Sequence, residues 1–422
     1  MKDTLNRIAQ FCLVISSIPF LSGCSHSEEP VLPSLEKESG IVAGRRQPRR
    51  PDLSNQRLVK DQLVIKYRNG THDTTKAMLR KKYFAKEIKR CNCADETLEL
   101  WWLNLDSLQG GIEEIKGEVS SEPDLEGSDF QYVFNKPNTY GTINGENLSW
   151  FTQLVKRQND GITVAIIDSG LDFDHLGFTR RFLYNSRQSG NFCREGVLRE
   201  ISGWDFVDQD PVPEDRHRHG TIVTDILFRK LDETISYQVL PVRAFNEDGK
   251  GTSFDITCAV RFVTRKPDVA IMNMSFGWYG ISLDILATFI REVEDEMVII
   301  TSSGNQGIDN DIFAHYPSGY DYTNILSVAA IDSLGEYLSD FSNFGAEAVD
   351  IAAEGVKIPF THESGTVYVD GTSFSSASAT ARCVQIYNPS YLPVDQIDWL
   401  TFHSVENSLL TGKMKHPNVL IP

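Results

Sequence analysis

Two short apolar runs, VAIIDSG at residues 164–170 and MVIITSSGN at 297–305, each break off into small turn residues. A continuous apolar run bounded by such a turn reads as a strand buried on both faces, as in a parallel sheet covered by helices. That constrains the fold to an open α/β sandwich. It also places Asp168 and Asn305 at the carboxyl ends of buried strands, the edge where open α/β sheets gather their sites. A third small-residue segment, VDGTSFSSASATARCVQIY, starts with a glycine turn and continues as a helix, with Ser373 at the helix start. There the backbone dipole favours developing negative charge. A fourth segment, RHGTIV, carries His219.

Acyl transfer by a serine hydroxyl needs a nucleophile, a base for its proton, an acid to orient that base and a donor facing the oxyanion. Ser373, His219, Asp168 and Asn305 supply one residue type for each role. Any one of these motifs alone is commonplace, so their joint occurrence carries the reading. The order Asp–His–Ser is that of subtilisin and of neither chymotrypsin nor the α/β-hydrolases. Over residues 137 to 385 the chain therefore resembles a subtilisin-like serine endopeptidase. The resemblance implies a doubly wound, three-layer α/β sandwich and catalysis without a cofactor. AIMNMSFGW resembles the family strand that pairs with an extended substrate, which implies substrate binding by Ser275, Phe276 and Gly277. Ser302, Ser303 and Gly304 fall in the facing segment. Neither Ser275–Trp278 nor Thr301–Gln306 contains an acid, so apolar or aromatic residues are expected before the cut. The chain departs from the family at HGTIVTD, where Ile222 and Asp225 replace a His and a Gly. It departs again at GTSFSSAS, with Ala377 and Ser378 where Pro and His are usual.

Residues 58–136 order as strand–helix–strand, strand–helix–strand, through LVIKY, TTKAMLRKKYFAKEIKR, LELWWLNL, GGIEEIKGEV and SDFQYVF. This small α+β module resembles the inhibitory propeptide that subtilases carry before a catalytic domain, here 137–422. Self-cleavage is expected between about Phe134 and Tyr140, in a polar stretch where Pro137 biases Lys136 toward extended geometry. Residues 42–90 hold 15 Lys and Arg against 4 Asp and Glu, in a chain of net charge −17. The acidic remainder is therefore expected to attract the basic half of the module, and nucleic acid is not an expected partner because the following residues turn strongly acidic.

At the N-terminus, Lys2 and Arg7 flank an apolar run from Ile8 to Leu21, followed by Leu21-Ser22-Gly23-Cys24. This resembles a lipoprotein signal peptide (1–23) with its lipobox, which implies acylation of Cys24 and export to the bacterial cell envelope, at the outer membrane or cell surface. Residues 24–57, rich in Pro, Ser and charge, read as a flexible tether. The expected partners are thus a protein or peptide substrate, a lipid bilayer and the chain's own propeptide. Beyond Cys12 and Cys24, five cysteines remain, an odd number. No essential disulfide is expected. Asp205, Asp208, Asp210, Glu214 and Asp215 offer oxygen ligands for a structural calcium, against the alternative of a solvated acidic loop. Three functions stand open: a broad endopeptidase, a dedicated processing protease and a catalytically silent binding module.

Overall fold

The computed structural model describes residues 49–108, 110–136, 161–175, 182–186, 192–232, 234–362 and 365–421. The signal peptide, Cys24, most of the tether and the stretch from Pro137 to Tyr140 lie outside the described residues. Among those described, no helix is long and apolar enough to cross a membrane.

The N-terminal module runs β1 (Gln56–Tyr67), α1 (Asp73–Lys82), β2 (Ala85–Cys91), β3 (Asp95–Leu103), α2 (Ile112–Ser120) and β4 (Leu125–Asn135). β1 thus starts two residues before 58, inside the segment expected to be tether. The four strands pair antiparallel in the order β4-β1-β3-β2. Alternation sends Leu63, Ile65 and Trp101 toward Leu79 of α1 and Ile112, Ile115 and Val119 of α2. Val64, Leu98, Leu100 and Phe134 face the other way, into the core of the larger domain.

That domain is built on a nine-stranded sheet. Its elements in chain order are β5 (Ile162–Asp168), β6 (Trp204–Asp205), α3 (His219–Lys230), β7 (Tyr237–Arg243), β8 (Lys250–Thr252), α4 (Ser253–Thr264), β9 (Val269–Met274), α5 (Asp284–Arg291), β10 (Val298–Ser302), β11 (Ile325–Ile331), β12 (Ile351–Glu354), α6 (Thr372–Gln385), α7 (Pro393–Phe402), β13 (Val405–Glu406) and β14 (Asn418–Leu420). The sheet order is β13-β14-β12-β11-β10-β9-β5-β7-β6. Every neighbouring pair is parallel except β13 with β14 at one edge. Ala165 and Ile167 of β5 face a core shared with α4 and α5. Val164 and Ile166 face the core shared with α3, α6 and α7. Both faces are therefore covered, which is why the strands read as unbroken apolar runs. β8 stands apart from this sheet and pairs antiparallel with β4, becoming a fifth strand of the N-terminal sheet.

The cysteines overturn one expectation. Cys91 is bonded to Cys258 and Cys93 to Cys193, while Cys383 is free and buried. Packing β2 and its turn against α4 and against the loop that carries Cys193 brings these pairs together, a proximity set by tertiary contact and invisible to counting.

Candidate active site

Asp168 ends β5 with its side chain fully buried, and His219 opens α3. The two meet because Gly220 lets the helix approach the strand closely: a Cβ there would lie 2.3 Å from the Gly170 carbonyl oxygen. His219 Nδ1 lies 2.9 and 3.0 Å from the two Asp168 carboxylate oxygens. Ahead of the helix, Arg218 takes a left-handed conformation with φ 76°. Asp215 holds that loop, accepting from the N–H groups of His217, Arg218 and Thr221 and from the Thr221 hydroxyl, at 2.7–2.9 Å.

Ser373 lies in the first turn of α6 and is 8 % exposed. Its Oγ donates to the Ser275 carbonyl at 3.0 Å, not to His219. Its N–H falls among the first-turn donors for which helix geometry supplies no backbone acceptor. Asn305 follows β10, and its Oδ1 accepts from the Thr372 N–H at 2.9 Å and the Thr372 hydroxyl at 2.8 Å. Those two bonds fix the amide by its oxygen and leave its NH₂ edge for the cleft.

The cleft has a volume of about 230 Å³ and is lined by Ser275, Phe276, Gly277, Ser302, Gly304, Asn305, His219 and Ser373, among others. Ser303 is the exception among the residues expected here: it is fully buried, and its hydroxyl lies 3.4 Å from the Asn343 carbonyl. Asn343 is a residue that sequence reasoning missed. Its Nδ2 donates to the Tyr279 hydroxyl, the Ser303 carbonyl and Asn310 Oδ1, and its Oδ1 accepts from the Gln306 N–H. It thereby braces both sides of the turn that presents Asn305. Asp370 also lines the cleft, an acid outside the two segments considered for specificity.

The chain's own β4 lies in this cleft. Phe134 and Asn135 pair with Gly251 and Lys250, and the Lys136 N–H donates to the Gly249 carbonyl at 2.7 Å. The Phe134 ring stacks on Trp278 with centroids 4.5 Å apart. Lys136 is buried, its ammonium 2.7 Å from Asp168 Oδ2 and 3.0 Å from His219 Nδ1. It also lies 4.5 Å from the centre of the Phe245 ring, within cation–π range. Burial pushes the lysine pKa down, and the Asp168 charge opposes that. Burial alone would raise the Asp168 carboxyl; the charges of His219 and Lys136 outweigh it and hold the carboxyl well below the usual range. An imidazolium formed at His219 would therefore sit beside a second cation that competes for the same carboxylate. Residues from the tether end help to cover the cleft. The Gln56 amide exchanges two 3.0 Å hydrogen bonds with the Tyr279 backbone, and Gln306 bonds the backbone of Asp52.

The five carboxylates considered for calcium are not gathered into a site. Arg243 takes Asp205 and Asp208, Arg216 takes Glu214, Asp215 holds the His219 loop, and Asp210 accepts from the Val212 N–H. Among the described residues no group of three or more His, Cys, Asp or Glu side chains is arranged to hold a metal.

With an Asp–His pair at the carboxyl edge of a parallel sheet, a serine at a facing helix start and an asparagine between them, the molecule has a subtilisin-like α/β fold. The sequence model of the subtilase family matches residues 159–416, and the chain belongs to that family. Among its relatives are the thermophilic serine proteinase of Bacillus sp. (strain AK1), 27% identical over 63% of this chain and 64% of that protein, and thermitase of Thermoactinomyces vulgaris, 23% identical over 52% of this chain and 72% of thermitase. The chain spans less than two thirds of the Bacillus proteinase, and its match covers 34% of the halolysin-like protease Nep of Natrialba magadii. A solved cold-adapted subtilisin-like serine proteinase superposes with a TM-score of 0.48 at 21% identity, covering 62% of this chain and 90% of that one.

Proposed function

We propose that this chain is a serine endopeptidase made as a self-inhibited precursor. The observation that carries the reading is the cleft itself, in which the Asp168–His219 pair, Ser373 and Asn305 surround a strand of the same chain. In the proposed mechanism Ser373 Oγ attacks a peptide carbonyl and His219 takes its proton. Asp168 keeps His219 in the right tautomer and stabilises the imidazolium. The Asn305 amide and the Ser373 N–H donate to the tetrahedral oxyanion. The amine product leaves with the proton from His219, and water releases the acyl group by the same route in reverse.

For this the serine must turn from the Ser275 carbonyl toward His219, and Lys136 must withdraw. The N-terminal module is accordingly read as the inhibitor, with self-cleavage between about Phe134 and Tyr140. The paired strand ends inside that interval, which supports the reading. Substrates are proteins or peptides, with apolar or aromatic residues preferred before the cut. Cys24 is read as the acylated anchor of an exported lipoprotein. Substitution Ser373→Ala tests the core of this proposal. The variant should fold, accumulate as an uncut chain and hydrolyse no peptide, whereas native-rate turnover by it would end the assignment.

A further inference from the structure

Both disulfides join the N-terminal module to the catalytic domain. Cys91 and Cys93 sit at the end of β2 and in the turn after it, whereas Cys258 lies in α4 and Cys193 in a loop beyond β5. Each pair spans the interval between Lys136 and Gly161. A cut anywhere in that interval therefore opens the backbone without separating the two parts. Self-cleavage alone would leave Phe134 and Lys136 held in the cleft at the high effective concentration of a tethered ligand.

The two disulfides differ in access. Cys91 and Cys258 are each 1 % exposed. Cys93 is only half-buried and, with Cys193, lines an open surface cleft of about 390 Å³ beside Phe192, Arg265 and Lys266. Asp95 and Glu96 line the same cleft, and Lys266 is paired with Glu200 at 2.9 Å, so access rather than local charge sets this disulfide apart. We propose that the Cys93–Cys193 disulfide is a thiol-exchange site, and that a dithiol reductant acting there first is what frees the cleaved module and switches the enzyme on. The proposal rests on the reading of the N-terminal module as a self-cleaved inhibitor. In the exchange, one thiolate of the reductant attacks a sulfur of the pair and forms a mixed disulfide, expelling the other cysteine as thiolate. The second thiol of the reductant then displaces the remaining cysteine. The reductant ends as its own disulfide, and the two electrons and two protons reside on Cys93 and Cys193. Loosening of the β2 turn then exposes Cys91–Cys258 to a second equivalent.

The test uses the full chain purified under oxidising conditions, with dithiothreitol as the dithiol. On denaturing gels wild type should run as one species without reductant and as two fragments with it. Hydrolysis of a chromogenic peptide should rise at least tenfold on exposure to dithiothreitol. The variant Cys91→Ser/Cys93→Ser should separate into fragments without reductant and show high activity that dithiothreitol does not change. Thiol labelling of wild type under limiting dithiothreitol adds a measurement that needs no variant: Cys93 and Cys193 should become alkylated before Cys91 and Cys258, and before activity appears. Two fragments from wild type without reductant, a latent Cys91→Ser/Cys93→Ser protein, or activity that precedes any thiol labelling would each overturn the proposal. A wild type that stays one intact chain even when reduced would instead sink the self-cleavage reading.

Discussion

Asn305 depends on two groups it does not resemble. Thr372 holds its carbonyl oxygen, and Asn343 braces the turn beneath it. Because its donor acts mainly in the transition state, Asn305→Ala should lower kcat by about 10²–10³ with little change in KM, the size that one such donor contributes in subtilisin itself. Steady-state kinetics on the activated enzyme check this. His217 matters for a different reason. Its ring is buried beside the cleft, and burial, followed by the charges of His219 and Lys136, pushes its pKa down to about 4. The folded state therefore resists a proton that the unfolded chain accepts near pH 6.5. Its neutral packing is fully favourable above that pH, and stability should fall as pH drops from about 6.5 toward 4. Denaturant midpoints of the Ser373→Ala precursor at pH 7.5 and 5 should diverge, and adding His217→Gln should remove part of that difference, since buried His315, pushed down to about 3, contributes with the same sign. Asp168, His219, Ser373 and Asn305 were legible because each stands in its own local motif. Lys136 and Asn343 were not, since their roles arise from side chains meeting across more than 30 residues of sequence, and His217 was not, since its burial is set by the fold. The partners of the acids near Asp205 were not legible either, because Arg243, which pairs with two of them, lies on another strand.

At the scale of elements, β4 does more than occupy a cleft. The Gln131 side chain accepts from the Phe254 N–H at 3.0 Å, and so caps the start of α4. The Asp129 carboxylate accepts from the Ile285 N–H at 2.9 Å and so caps α5. One strand of the module thus satisfies helix ends of the other domain that would otherwise need partners. Gln131→Ala and Asp129→Ala should each cost the precursor about 1 kcal/mol, the usual size of a lost cap. Urea unfolding of the Ser373→Ala background measures it. The strand and helix order of the module was readable from the alternation of its strands and from the segment TTKAMLRKKYFAKEIKR between them. The union of β8 with the module's sheet was not, because three residues, Lys-Gly-Thr, carry no strand pattern of their own. Their pairing is decided by what lies beside them.

Across the whole molecule, the basic half of the module, up to Arg90, meets an acidic domain. Lys89 pairs with Asp255 at 2.7 Å, and Arg261 reaches back to Asp95 at 3.1 Å. Both carboxylates are buried, so salt screens these pairs less than exposed ones, yet still weakens the long-range attraction around them. Once the disulfides are reduced, the cleaved module should therefore dissociate faster in about 0.5 M than in about 0.05 M salt, the Debye length shrinking severalfold over that range. Gel filtration after dithiothreitol treatment reads the difference. The parallel sheet was evident in the sequence because burial on both faces leaves unbroken apolar runs. The covalent stapling of the two parts was not, because an odd set of cysteines gives no pairing until the fold sets which ones are neighbours.

The strand lying in the cleft also has a use in inhibitor chemistry. Phe134 stacks on Trp278, Lys136 reaches Asp168, and the backbone between them pairs with β8. Side chains and hydrogen-bonding edges are thus already arranged as a lead compound would need them. A short peptide copying Phe-Asn-Lys, followed by an apolar residue that bears an electrophile to capture Ser373, would carry its selectivity from this chain's own sequence.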